Sequence, residues 1–125
     1  MKITRVYTGE DNQSHFEDLD IPLHPVDFGC MSDRLPATSV VFRETPDGCL
    51  DFHPAPRRQF VLTIIGEVGL ECGDGTKKRL RAGDILLADD ATGQGQISHE
   101  IQGPRRSVFI RVPDTFDIDA WRKTQ

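Results

Sequence analysis

Between residues 38 and 112, apolar and polar positions alternate in short runs, and turn-forming residues close most of them. The run Thr38-Ser-Val-Val-Phe-Arg-Glu44, rich in β-branched residues, predicts a strand closed by Thr45-Pro-Asp-Gly48. Strand-like runs follow at residues 50–53, 59–65, 68–72, 77–80, 84–88, 95–101 and 107–112. Their separators are Gly66-Glu67, Gly73-Asp-Gly75, Ala82-Gly83, residues 89–93 and Gly103-Pro104. This even spacing predicts an all-β sandwich or barrel. Upstream, residues 2–7 read as a strand and Gly9 to Asn12 as a turn. Residues 14–23 are acidic and irregular and read as a peripheral strand; residues 25–36 read as a loop. After Pro113, Asp114 or Asp117 can cap one or two helical turns carrying Ile118, Ala120 and Trp121, with Trp121 expected to cover an apolar patch.

Composition fits that pattern and narrows the function. A chain of 125 residues suits one domain, and 11 Gly with 8 Pro spread along it favour short elements joined by turns. Acids outnumber bases 20 to 15, which argues against a nucleic-acid partner. The basic cluster Lys77, Lys78, Arg79 and Arg81 reads as a solvated hairpin face. The first 20 residues carry charges throughout, and the longest apolar stretch, residues 60–65, is too short to span a bilayer. The expectation is a cytoplasmic protein with no membrane partner. Cys30, Cys49 and Cys72 are an odd count without C-x-x-C spacing, and are expected as reduced, packed thiols.

Chemistry concentrates between Gly48 and Gly66, where His53, Arg57, Arg58 and Gln59 stand at the head of an apolar run. The stretch Gly48…His53-Pro-Ala55-Pro-Arg-Arg-Gln59…Gly66 resembles the first motif of the cupin superfamily. Arg81-Ala-Gly83-Asp84-Ile85, with Gly93-Gln-Gly95-Gln96 beyond it, resembles the second. The resemblance implies a cupin-type double-stranded β-helix, a jelly-roll barrel, over residues 1–125 with its core at roughly 38–112. It places His53 at the first histidine position, Ala55 at the second, Gln59 at the acid, Gln96 at the third histidine and Glu100 at the asparagine. One imidazole remains of the family's three. The resemblance also implies a homodimer, with an exposed N-terminal edge strand as a natural site of exchange.

Alternation along strands gives an independent grouping, since side chains two apart share a face about 6.6–6.8 Å apart. Asp51, His53 and Ala55 form one set, Gln59, Val61 and Thr63 a second, and Gln96, Ser98 and Glu100 a third. If His53 faces the interior, these sets line a cavity with a polar end and an apolar floor. Cys49 and His53 lie roughly 13 Å apart on an extended strand, too far for a nucleophilic dyad. The Gly93-Gln-Gly95 stretch does not follow a strand-to-helix turn and reads as a loop, not a phosphate cradle. His15, His24 and His99 lack motif context and read as surface residues.

Three functions fit this set. In the first, a small organic molecule binds in the barrel and undergoes isomerisation, dehydration or cyclisation. There His53 is the general acid or base, Glu100 or Asp51 tunes it, and Gln59, Gln96 and Arg57 or Arg58 hold a substrate oxygen. In the second, a divalent transition metal sits on His53, Gln59 and Gln96, although two amides and one imidazole make a weak donor set. In the third, the chain is a non-catalytic sensor or carrier with a decayed metal site. The arginine pair has a structural alternative too, bridging to acids such as Glu44, Asp89 or Asp90.

Overall fold

The computed structural model describes residues 1–46, 51–53, 58–89, 96–113, 115 and 117–122, with the backbone alone for 51–53 and 96–101. The strands are β1 (Lys2–Thr8), β2 (Ser14–Asp20), β3 (His24–Val26), β4 (Gly29–Met31), β5 (Ser39–Thr45), β6 (Asp51–His53), β7 (Gln59–Glu71), β8 (Lys77–Leu80), β9 (Ile85–Asp89) and β10 (Gln96–Arg111). One short helix, α1 (Asp119–Arg122), follows. The protein is mostly β, as the spacing of its apolar runs predicts.

Eight strands form one sheet in the order β2-β1-β9-β7-β10-β5, with β6 added on β10 and β8 on β7. The path ends at β2 on one side and β5 on the other. The expected N-terminal edge strand is therefore corrected: β1 lies inside the sheet, antiparallel to β2 and parallel to β9. Residues 14–20 supply that outer strand, and residues 25–36, expected as a loop, contain the small β3-β4 hairpin.

Two expected turns are instead bends within long strands. Residues 59–71 run as one strand of 13 residues through Gly66, and residues 96–111 as one of 16 residues through Gly103-Pro104. The first half of β7 pairs with β9 and the second with β8, while β10 follows it along both halves. Register shifts at His99/Gln102, Gln102/Arg106 and Arg106/Ser107 absorb the bend. At the last shift β7 carries an extra residue, because Arg106 faces Ile65 while Ser107 faces Thr63.

Gly66 makes the bend possible. Its φ is +78°, and a Cβ there would stand 2.7 Å from the Gln102 carbonyl oxygen, 2.8 Å from that of Pro104 and 2.9 Å from the Cα of Arg105. Only a residue without a side chain lets β10 lie this close in that conformation.

Each face of the β9-β7-β10 region has its own core. On the face bearing Val61, that residue clusters with Val6, Leu86, Ala88, Val68, Leu70, Leu80 and Cys72, and Phe109 packs against them. On the face bearing Phe60, the cluster is Ile3, Leu19, Ile21, Leu87, Val112, Ile118 and Trp121. Burying both faces of β7 explains why residues 60–62 are apolar without interruption. Trp121 covers the second core as expected, its ring 6.4 Å from that of Phe60 between centroids. Cys72 is a buried thiol, whereas Cys30 in β4 is exposed, contrary to the expectation of packing.

Candidate functional site

The backbone brings together several residues that the sequence singles out. In the antiparallel pairing of β6 with β10, His53 stands opposite Gln96 and Asp51 opposite Ser98. Ser98 in turn lies opposite Leu70 of β7. Glu100 falls between His99 and Gln102, where the pairing of β10 with β7 shifts. Arg57, Ala55, Cys49, Asp90 and the Gly93-Gln-Gly95 stretch lie outside the described residues, as do the side chains of Asp51, His53, Gln96, Ser98 and Glu100.

Gln59 opens β7 and is partly buried. Val61 and Thr63 follow it at alternate positions and both are buried, so the three share the Val61 face as the alternation predicts. Across the ladder, Arg111 stands opposite Gln59, Phe109 opposite Val61 and Ser107 opposite Thr63.

Arg58 belongs to the other face. Its Nε donates to Asp89 Oδ1 at 2.9 Å and its Nη2 to Oδ2 at 3.1 Å. Asp89 also accepts from Arg5, Nη2 to Oδ2 at 2.7 Å. Arg5 bonds Glu17 as well, and Glu17 pairs with Arg122 of α1 at 3.3 Å. These contacts match the bridging alternative for Arg58 and tie the head of β7 to β9, β1, β2 and the C-terminal helix.

The sequence reading missed Arg105. It is 7% exposed, on the Val61 face, and its Nη2 donates to Thr63 Oγ1 at 2.9 Å. Among the described residues its Nε has no hydrogen-bond partner, and neither does the Oγ of Ser107, which is 2% exposed. The Nε of Arg111 is likewise buried without a partner. Burial pulls the Arg105 pKa down, and the neighbouring charge of Arg43 adds to the effect. Among the described residues no carboxylate pairs with this guanidinium. The signal was faint: a lone arginine after Gly-Pro in a charged segment reads as surface, and only the bend turns it inward.

His15 is a second cluster the sequence did not single out. Its Nε2 lies 2.9 Å from Asp11 Oδ1 and its Nδ1 lies 2.7 Å from Asp74 Oδ2. Its ring packs 5.8 Å from Tyr7 between centroids. The bond to Asp11, helped by that to Asp74, raises the His15 pKa, although burial opposes it. Among the described residues no group of three His, Cys, Asp or Glu side chains has the arrangement of a metal site. No helix among them is long and apolar enough to cross a membrane.

No protein-family model matches the chain, and no curated protein matches it. Among solved structures, it is similar to one from Ralstonia eutropha JMP134 described as a "putative mannose-6-phosphate isomerase". The two are 15% identical, with 88% of this chain and 81% of that chain covered and a TM-score of 0.34. A likeness of that size carries no argument about chemistry.

Proposed function

We propose that this chain is a cupin-type domain that binds a small organic molecule and moves a proton on it, in an isomerisation, dehydration or cyclisation. The observation that supports this most is the register of β6 against β10, with His53 across from Gln96. His53 is the general acid or base, and Glu100 or Asp51 sets its basicity. Gln59 and Gln96 hold a substrate oxygen, so that charge developing there meets fixed donors. Arg57 is proposed as a further donor. Arg58 keeps that role only if substrate draws it away from Asp89.

His53, Gln59 and Gln96 suit a divalent transition ion poorly unless Glu100 or Asp51 adds charge. One imidazole and two neutral amide oxygens lack the charge and softness such an ion prefers. The proposed chemistry uses none. Elemental analysis of protein purified without a polyhistidine tag is expected to find substoichiometric metal that dialyses away.

The amide at Gln96 also favours a second reading, a non-catalytic sensor or carrier. One experiment separates the two. Sugars, keto acids and polyketide-like compounds are screened for thermal stabilisation, and the compounds that bind are followed for turnover in the native protein and in His53→Ala. Turnover lost in His53→Ala with the melting transition intact supports the enzyme; an unchanged rate overturns it. Stabilisation without turnover supports the sensor. The homodimer is part of the same proposal, and sedimentation velocity tests it.

A further inference from the structure

Of all the polar groups on the described surface and interior, Arg105 is the one whose surroundings leave the most unmet. A guanidinium removed from water costs several kcal/mol unless an anion or a full set of acceptors replaces the water. Here, among the described residues, it keeps one neutral acceptor, Thr63 Oγ1, at 2.9 Å. Its Nε–H has none.

The neighbouring groups are donors too. Thr63 Oγ1 accepts from Arg105, which leaves its own proton free to donate. Ser107, directly across the ladder from Thr63, carries a buried hydroxyl with no partner. The nearby positive charge of Arg43 repels Arg105. Buried donors gathered around a cation that no carboxylate among the described residues compensates are the complement of an oxyanion.

We infer that Arg105, Thr63 and Ser107 form an oxyanion subsite on the Val61 face, taking a carboxylate or phosphate group of the bound small molecule. This deepens the proposed function and rests on the reading that the Val61 face lines the ligand pocket. It assigns the anchoring guanidinium to Arg105, on the bend of β10. The bend itself serves the subsite, because Gly66 lets the Arg105 backbone sit against β7 within reach of Thr63.

The test uses the full chain and thermal-shift titrations with inorganic phosphate and with acetate, against chloride at matched ionic strength. The native protein is expected to show a saturable rise in Tm with phosphate or acetate that chloride does not reproduce, and whichever of the two acts at lower concentration identifies the group. Ser107→Ala is expected to fold and to need about tenfold more anion for the same shift, having lost one hydrogen bond to a charged group. Arg105→Gln is expected to lose the shift. If Arg105→Gln does not fold, Ser107→Ala decides alone. Equal responses to all three salts, or a Ser107→Ala titration matching the native one, overturn the subsite. His53→Ala is titrated in parallel. Anion binding intact there while turnover is lost supports both proposals. Turnover that needs His53 with no anion response overturns the subsite alone, and an anion response with turnover indifferent to His53 overturns the proton-transfer reading alone.

Discussion

Arg58 grips Asp89 with two nitrogens, Nε to Oδ1 at 2.9 Å and Nη2 to Oδ2 at 3.1 Å, and so faces away from its neighbour Gln59. Adjacent residues on a strand point to opposite faces, and here one goes to an ion pair and the other to the Val61 face.

That pairing gives the first expected outcome. Asp89 serves both Arg58 and Arg5, and its side chain is only 12% exposed. Asp89→Asn keeps the shape but leaves two cations facing each other, and is expected to cost about 3 kcal/mol in urea unfolding. Arg58→Ala is expected to cost less, since Asp89 keeps Arg5. A cost for Asp89→Asn no larger than that for Arg58→Ala would show that the carboxylate is not the hub.

Gly66 is a position where the fold admits no side chain. Gly66→Ala places a methyl group under 3.0 Å from three backbone atoms of residues 102–105, at a φ that L-residues rarely adopt. Backbone cannot move aside as the end of a flexible side chain does. The variant is expected to lose about 3 kcal/mol or more, and any folded fraction to lose the anion response, because Arg105 is displaced with its strand. A chevron or equilibrium urea curve matching the native one would refute this.

His15 supplies a pH dependence with a definite sign. Its pKa is raised above the usual 6.5 by the bond to Asp11, while Asp11 and Asp74 are lowered from 3.8, Asp11 chiefly by the bond to His15 and Asp74 chiefly by that to Thr76. A raised folded value means that the histidine's contribution is complete below 6.5 and fades as pH rises through the folded value. The carboxylates contribute above 3.8 and lose that contribution as pH falls through their depressed folded values. The Tm is therefore expected to fall slightly as pH rises above 6.5. His15→Gln is expected to flatten that slope. The effect is small because the cluster stands in solvent. A slope unchanged in His15→Gln would assign it elsewhere.

Much of the fold was legible because it depends on periodicity. Alternation marked β1, β5, β8 and β9 to within a residue or so at most ends, and it put Gln59, Val61 and Thr63 on one face. The helix cap at Asp117 was legible for the same local reason, its Oδ1 accepting from the Asp119 amide at 2.9 Å. Glycine and proline were less reliable punctuation. At Gly66-Glu67 and Gly103-Pro104 they bend strands that continue, since ladder partners on both sides outweigh the local preference for a turn.

By itself the sequence determined a mostly β fold and the stretch that holds His53 and Gln59, because strand periodicity and residue spacing are local properties of the chain. Only the tertiary structure decided which polar groups lie together. It set His53 opposite Gln96, gave Arg58 to Asp89, moved β1 inside the sheet, and turned Arg105 inward onto Thr63. Each of these depends on how strands distant in sequence pair, and the turn of Arg105 depends on the bend of β7 and β10 as well. A shift of a single position reverses which face a side chain takes, and no nearby residue encodes it.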